Sequence, residues 1–307
     1  MLLLGEAMAF AAAVGFAVSS FYLRLGQQQR PNDDGVLTLN AINLCVNVPL
    51  AILFALLHKL PAVVLGGVLL VILGGILTSF LGRIFWLRSI RLIGPARATS
   101  LEGTNPLFAT LVAVLALGER LPALGWFGVC LAILGILLLG QENRSRKPAL
   151  ATEGPKPAPA TEQGTGFAFG LISAISFGIG AAVRRAALLL MPSPFVAAPI
   201  SSLTAFVGMF CIDVSRPNGG WARVRHSVLH PPAGFVLAGV ITAVAQLLNF
   251  GGLDLAPVSR VAVINATQPV LAVLIGAAIF RQHDSINRRV FVAALLIVSG
   301  IALVVFR

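Results

Sequence analysis

The sequence predicts an all-α polytopic membrane protein with ten transmembrane helices, arranged as two inverted five-helix repeats. The chain is 57% hydrophobic and only 11% charged, with a mean hydropathy of +0.93, which is too apolar for a soluble core. Apolar stretches of about 20 residues, the length that crosses a hydrocarbon core, recur from end to end. The chain also aligns with itself at an offset of 163 residues, which places Gly15 over Gly178 and Pro106 over Pro269.

Each copy of the repeat contains five predicted helices. They lie near 5–24, 36–57, 63–88, 95–117, 122–140, 166–190, 194–214, 232–253, 257–280 and 288–306. Because five is an odd number, the two copies enter the membrane in opposite orientations. The first repeat covers 1–140 and the second covers 166–307. The segment 141–165 is rich in Pro, Ala, Glu and Lys, and it is expected to be a flexible linker.

The formal charge of +11 does not indicate a nucleic-acid partner, because its 22 Lys and Arg are scattered over nearly every loop. The positive-inside rule explains them better, and it places the 141–165 side in the cytoplasm, with the protein in the plasma (inner) membrane. Arg184 and Arg185 are assigned to the opposite side, at the end of the sixth helix. The three cysteines lie singly in apolar helices without metal-ligand spacing, so we expect no metal site and no cofactor.

Two predicted helices are interrupted by polar residues and a proline at matching positions. The stretch 102–106 reads Glu-Gly-Thr-Asn-Pro, and the stretch 265–269 reads Asn-Ala-Thr-Gln-Pro. Each proline frees a carbonyl, and interrupted helices of this kind mark the substrate site in repeat transporters. The alternative is that each proline is a packing kink whose polar neighbours cap the gap. The candidates are Glu102, Asn105, Asn265 and Gln268 for substrate binding, and Pro106 and Pro269 as hinges.

Two trios of polar side chains obey the same offset. One lies on the third helix and the other on the eighth, at spacings of four and three residues that share a helix face. Their members are Ser79, Arg83 and Trp86, followed by Thr242, Gln246 and Asn249. Arg83 could clamp a carboxylate or phosphate, and Trp86 could stack a ring or a cation. Alternatively, Arg83 neutralises Glu102, and Trp86 lies near the membrane interface.

The second helix carries a third polar stripe, formed by Asn40, Asn43 and Asn47. At the offset of 163 their counterparts are leucine and phenylalanine, so this lining is not duplicated. Such asymmetry is expected if one half of the protein contacts an asymmetric ligand more than the other half does, with Asn43 among the substrate-binding residues. Hydrogen bonding between helices, worth roughly 0.6 kcal/mol per contact in membranes, explains the stripe equally well.

The chain resembles the drug/metabolite transporter superfamily, and within it the ten-helix EamA-type transporters. The resemblance rests on Gly94-Pro95-Ala-Arg97, on Pro106 and on Leu117-Gly-Glu-Arg-Leu121, with a second copy around Pro257 and Pro269. The second copy departs from the first where Gly-Glu at 118–119 becomes Arg-Gln at 281–282. The resemblance implies a secondary carrier with a central cavity between inverted repeats, often one that exports amino acids or related metabolites.

The combined expectation is alternating access around a midplane site, with a small-molecule substrate and the lipid bilayer as partners. Glu102 is the candidate for proton coupling. Burial favours the protonated form of its carboxyl group, whereas a nearby Arg83 would favour the charged form. The sequence does not decide between these two effects, so proton coupling is left open. Export of cationic drugs is the alternative, with Glu102 and Trp86 binding the cation. A membrane enzyme is disfavoured because no catalytic constellation lies in the spans. A non-transporting subunit is also disfavoured, and a monomer and a homodimer are both compatible with the sequence.

Overall fold

The computed structural model describes residues 1–30, 33, 35–58, 63–93, 95–145, 160–216, 219–280 and 288–305, and their regular structure is entirely helical. A π-helical segment, Ile76–Gly82, joins α3 to α4. The helices are α1 (Leu2–Gln29), α2 (Val36–Leu57), α3 (Leu65–Gly75), α4 (Arg83–Ile93), α5 (Pro95–Glu102), α6 (Asn105–Leu117), α7 (Ala123–Ser145), α8 (Ala160–Leu190), α9 (Pro194–Val214), α10 (Gly220–Leu229), α11 (Ala233–Leu255), α12 (Val258–Asn265), α13 (Gln268–Phe280) and α14 (Arg288–Val305).

The ten-helix fold predicted from the sequence is confirmed. In the described part of the chain, eight helical spans are long and apolar enough to cross a membrane. Two shorter apolar helices, Ala123–Leu138 and Phe291–Val305, complete the ten. Two of the predicted helices with internal prolines, 36–57 with Pro49 and 194–214 with Pro199, coincide with the observed helices Val36–Leu57 and Pro194–Val214. Length and hydropathy therefore locate these spans even where polar residues and proline interrupt the apolar pattern.

The first predicted interruption is a real break in a membrane span. α5 ends at Glu102 and α6 begins at Asn105, which leaves Gly103 and Thr104 outside both helices, just ahead of Pro106. The Thr104 hydroxyl donates to the carbonyl three residues earlier at 2.7 Å. The same carbonyl also accepts from the Thr104 backbone N–H at 3.0 Å, so the hydroxyl adds a second hydrogen bond at the break.

The second interruption repeats the first at the same offset of 163 residues. α12 ends at Asn265 and α13 begins at Gln268, so the break comprises Ala266 and Thr267. The Thr267 hydroxyl again donates to the carbonyl three residues earlier at 2.7 Å. The duplicated element is therefore a helix break with a threonine cap, as the matched prolines predict. The hinge roles of Pro106 and Pro269 remain predictions.

The helices form two compact units, and each unit contains parts of both sequence halves. Unit 1 comprises Met1–Phe80 and Val183–Leu255, and unit 2 comprises Leu81–Ala182 and Ala256–Arg307. The divisions fall within the π-helical segment and within α8. The compact bodies of the fold thus differ from the predicted sequence repeats, 1–140 and 166–307.

Small residues bring helices into close contact inside each unit. In unit 1, α1 packs along α11, and a Cβ atom built on Gly15 would lie 2.8 Å from Cβ of Ala245. In unit 2, α7 packs along α14, and a Cβ atom built on Gly128 would lie 2.6 Å from the carbonyl oxygen of Gly300. Both pairs use the close backbone approach that glycine and alanine permit in membrane helices.

The predicted linker is only partly described. α7 extends to Ser145 and α8 begins at Ala160, so both described flanks of the segment 141–165 are helical. Residues 146–159 lie outside the described residues, as do Arg281 and Gln282, the counterparts of Gly118 and Glu119.

Candidate functional site

Buried amide side chains in unit 1 form one hydrogen-bonded group, which we call the amide cluster. It comprises Asn43 and Asn47 on α2, Ser202 on α9 and Gln246 on α11, all no more than 9% exposed. Asn43 Nδ2 donates to Gln246 Oε1 at 2.7 Å, and Gln246 Nε2 donates to Ser202 Oγ at 3.3 Å. Asn47 Nδ2 donates to Asn43 Oδ1 and, at 3.4 Å, to Ser202 Oγ. The structure therefore brings together two predicted site residues, Asn43 and Gln246.

A second group in unit 1 surrounds a buried arginine, and we call it the arginine cradle. Arg184 on α8 is 8% exposed, and its Nη2 donates to Thr78 Oγ1, to Ser79 Oγ at 3.2 Å and to Ser201 Oγ at 3.0 Å. Its Cζ lies 5.1 Å from the centroid of the Phe250 ring, within cation–π range. The charge is thus held by neutral hydroxyls and an aromatic face.

The two groups meet on α9, because Ser201 belongs to the arginine cradle and Ser202 to the amide cluster. Thr78 and Ser79 come from the π-helical segment, whose widened turn is a feature often found at functional sites in helical proteins. Two buried polar atoms of these two groups, Asn47 Oδ1 and Arg184 Nε, lack a hydrogen-bond partner among the described residues. One is an acceptor and the other a donor.

The members of the two predicted trios have different partners. In the first trio, Ser79 bonds to Arg184 in unit 1, whereas Arg83 in unit 2 lies over the Trp86 ring, with its Cζ 5.8 Å from the centroid. The Trp86 Nε1 is buried without a hydrogen-bond partner among the described residues.

In the second trio, Gln246 joins the amide cluster through its bonds to Asn43 and Ser202. The Thr242 hydroxyl pairs instead with the hydroxyl of Ser19 on α1 at 2.5 Å, and Ser19 also donates to the Ala238 carbonyl at 2.9 Å. Asn249 is partly buried on the same helix. This trio therefore serves both helix packing and the polar interior of unit 1.

The break in unit 2 carries its own polar contact. Asn105 Nδ2 donates to Glu102 Oε1 at 3.0 Å, so the predicted shared face of these two residues is real. Gly178 on α8 packs against this point, since a Cβ atom there would lie 2.8 Å from the carbonyl oxygen of Asn105. In the equivalent break, Asn265 and Gln268 are both partly buried. Substrate binding by these four polar residues remains a prediction.

The Leu-Gly-Glu-Arg-Leu turn has a defined structural role in unit 2. Glu119 accepts hydrogen bonds from the backbone N–H groups of Val258 and Ser259 at 2.6 and 3.2 Å, and from Ser259 Oγ at 2.7 Å. A carboxylate at this place caps α12 and complements the positive end of the helix dipole. The turn, together with the start of α12, lines a cavity of about 160 Å³.

The sequence reasoning missed Arg184, the central residue of the arginine cradle. It assigned Arg184 and Arg185 to the membrane surface at a helix end, and the structure overturns this for Arg184. α8 continues to Leu190, and the Arg184 side chain points into the polar interior of unit 1. Arg185 is also within α8 and donates to the carbonyls of Leu253 and Asp254. The predicted helix 166–190 already extends beyond both arginines, and this was the available signal that their side chains lie within the span.

The fold and the buried polar clusters define a polytopic membrane protein with a duplicated arrangement of five spans and a polar interior, which is the architecture of a solute carrier. In the described residues, no group of three or more His, Cys, Asp or Glu side chains could hold a metal ion. The EamA-like transporter family matches residues 3–141 and 164–306, and the chain belongs to this family.

Two individual proteins extend the comparison. The uncharacterized transporter sll1319 of Synechocystis sp. is 26% identical over 221 residues, which cover 71% of this chain and 59% of that protein. A solved structure described only as "Crystal structure of protein" superimposes with a TM-score of 0.67 over 97% of this chain and 95% of its own, at 19% identity. The second likeness concerns the fold alone. Both the family and the first relative are described as transporters, and neither description gives a substrate.

Proposed function

We propose that this protein is a secondary-active carrier that exports small polar metabolites, such as amino acids, by alternating access around a site in the middle of the plasma (inner) membrane. The observation that carries the proposal is the amide cluster. Asn43, Asn47 and Gln246 are carboxamide side chains buried in apolar spans, where polar groups are costly and usually serve a ligand or a cavity. Their donors and acceptors match the polar groups of a small metabolite.

Alternating access is supported by the duplicated breaks at 103–104 and 266–267. A span can change its direction at such a break, because two residues there lie outside both flanking helices. Two such breaks at repeat-equivalent positions provide the symmetric pair of bending points that a repeat transporter uses. Pro106 and Pro269 follow these breaks and would act as the hinges.

Proton coupling through Glu102 is part of the proposal. Its carboxyl group accepts a hydrogen bond from Asn105, so a change in its protonation would alter this contact. The test is Glu102→Gln, which keeps the size and the Asn105 contact of the side chain but cannot titrate. If Glu102 couples protons, the variant loses the pH dependence of transport; an unchanged pH dependence removes the residue from this role.

The alternative substrate class, cationic drugs, has less support. The Trp86 ring would have to stack on the drug, but Arg83 already lies 5.8 Å from its centroid, and this positive charge would repel a second cation. We therefore favour substrates with a polar or anionic group.

Uptake into proteoliposomes tests the carrier proposal. The purified protein is reconstituted, loaded with one unlabelled amino acid at a time, and assayed for accumulation of the same labelled compound by exchange. We expect saturable exchange of at least one amino acid and a loss of about tenfold or more in Asn43→Ala, corresponding to one strong polar contact. Asn40→Ala is the matched control, because Asn40 lies on the same helix with no hydrogen bond among the described residues. Exchange that is equally fast in Asn43→Ala contradicts the assignment of the site.

A further inference from the structure

We propose that Arg184 anchors a carboxylate group of the ligand, so that the protein selects small molecules that carry a single carboxylate. The inference rests on the proposed function in one respect, since it identifies the bound group as part of the transported metabolite. Binding itself is independent of transport and can be measured without it.

The first argument is the unbalanced charge of the arginine cradle. Arginine stays protonated in proteins, and a buried charge is normally paired with an opposite one. Among the described residues, however, no carboxylate lies within ion-pairing distance of Arg184, and its hydrogen bonds go to three neutral hydroxyls through Nη2 alone. Its Nε is enclosed and makes no hydrogen bond there. The guanidinium therefore retains both charge and donor capacity for an anion.

The second argument comes from the internal duplication. At the offset of 163, Ser79 corresponds to Thr242, and α8 corresponds to α1. Thr242 makes its contact to α1 through a neutral hydroxyl, that of Ser19, whereas Ser79 makes the equivalent contact to α8 through Arg184. The residue on α1 that corresponds to Arg184 is Phe21. A neutral pair is thus sufficient to join these helices, and the packing does not require a buried cation.

The third argument concerns the class of anion. The cradle supplies one guanidinium and three hydroxyls, so one negative charge balances it. A carboxylate carries one charge and matches the planar fork of arginine, whereas a phosphate dianion would leave a surplus negative charge in an apolar surrounding. The Phe250 ring, at 5.1 Å from Cζ, closes one side of the cradle with an apolar face. The cradle therefore fits a carboxylate attached to a small organic body.

The test is ligand-induced thermal stabilisation of the full-length protein in detergent. The probes are the twenty standard amino acids, short monocarboxylates, the matched carboxamides and inorganic phosphate. We expect saturable stabilisation by at least one carboxylate and none by its carboxamide. Arg184→Gln should weaken this binding at least about tenfold, the loss that accompanies a charge-assisted hydrogen bond. Arg223→Gln is the matched control, because it removes the same charge from an exposed position on α10 of unit 1.

Several results overturn the proposal. The first is a folded Arg184→Gln variant that binds the carboxylate as tightly as the parent protein does. The second is stabilisation by phosphate but by no carboxylate, and the third is a carboxamide that binds as tightly as its carboxylate. The fourth is the absence of stabilisation by any probe. If Arg184→Gln does not fold, Arg184→Lys keeps the charge and loses the planar fork. It should weaken carboxylate binding about tenfold while the ligand-free melting temperature changes little, and unchanged affinity again contradicts the proposal.

The exchange assay separates this proposal from the carrier function. Carboxylate binding that depends on Arg184, in a protein that exchanges nothing across a liposome membrane, supports the anchor and contradicts the carrier. Exchange of an amino acid that is equally fast in Arg184→Gln supports the carrier and contradicts the anchor.

Discussion

Replacement of Gln246 by leucine tests whether the amide cluster is a hydrogen-bonded unit. Gln246 is 9% exposed, accepts from Asn43 at 2.7 Å and donates to Ser202 at 3.3 Å. Leucine has a similar size and helix propensity, so the main loss is these two bonds. Hydrogen bonds between membrane helices average about 0.6 kcal/mol and reach about 1.7 kcal/mol. Two bonds therefore predict a loss of about 1–3 kcal/mol in the free energy of unfolding.

The assay is equilibrium unfolding in mixed micelles, arranged as a double-mutant cycle with Asn43→Ala. The cycle isolates the contact between the two side chains from the effects of each change on its own helix. We expect a coupling energy of about 0.6–1.7 kcal/mol between the two positions. Thr242→Val, on the same helix but bonded to Ser19, should couple to Asn43→Ala by less than about 0.5 kcal/mol. A Gln246–Asn43 coupling as small as that of the control would falsify the assignment of a shared buried network.

Three other predictions follow from local contacts. Asn47→Leu should weaken binding of amino acids but not of the corresponding carboxylates that lack an amine, because the unpaired Asn47 Oδ1 is an acceptor suited to an ammonium group. The thermal-stabilisation assay measures both ligands, and an equal loss of affinity for the two contradicts this prediction. Glu119→Ala should lower the free energy of unfolding by about 1–2 kcal/mol, which is the value of a helix cap, and Glu119→Gln should lower it by less. Both losses are measured by unfolding in micelles, and a larger loss for Glu119→Gln than for Glu119→Ala counts against the cap. Gly128→Ala should lower the free energy of unfolding by about 1–3 kcal/mol, because its Cβ would clash with the Gly300 carbonyl. Gly164→Ala is the control and should cause no such loss, because the space around Gly164 is open. Equal melting temperatures of the two variants contradict the packing argument.

The spans could be predicted because length and hydropathy are local properties of the sequence. The breaks were also predictable, since two prolines and their polar neighbours recur along the chain at the offset of 163. The π-helical segment 76–82 was not, because its residues are ordinary helix formers in a membrane and the widened turn depends on tertiary contacts. The structure places Thr78 and Ser79 of this segment against Arg184.

The candidate site was only partly predictable for a related reason. Asn43 and Gln246 were each identified as polar residues in apolar helices, but nothing local indicates that they bond to each other across 203 positions. Arg184 was misassigned because an arginine near a predicted helix end normally reaches the membrane surface. Its partners Thr78 and Phe250 lie in the π-helical segment and in α11, 106 and 66 positions away along the chain.

The division of each compact unit between the two sequence halves has a consequence for biosynthesis. Asn43 leaves the ribosome early, yet its partner Gln246 follows 203 residues later, which corresponds to roughly 10–40 s of translation at about 5–20 residues per second. During that interval the carboxamides of α2 reside in the membrane without the helix that completes their hydrogen bonds. The first half of the nascent chain therefore needs temporary polar partners, from its own helices, from water or from the insertion machinery, until α11 is made.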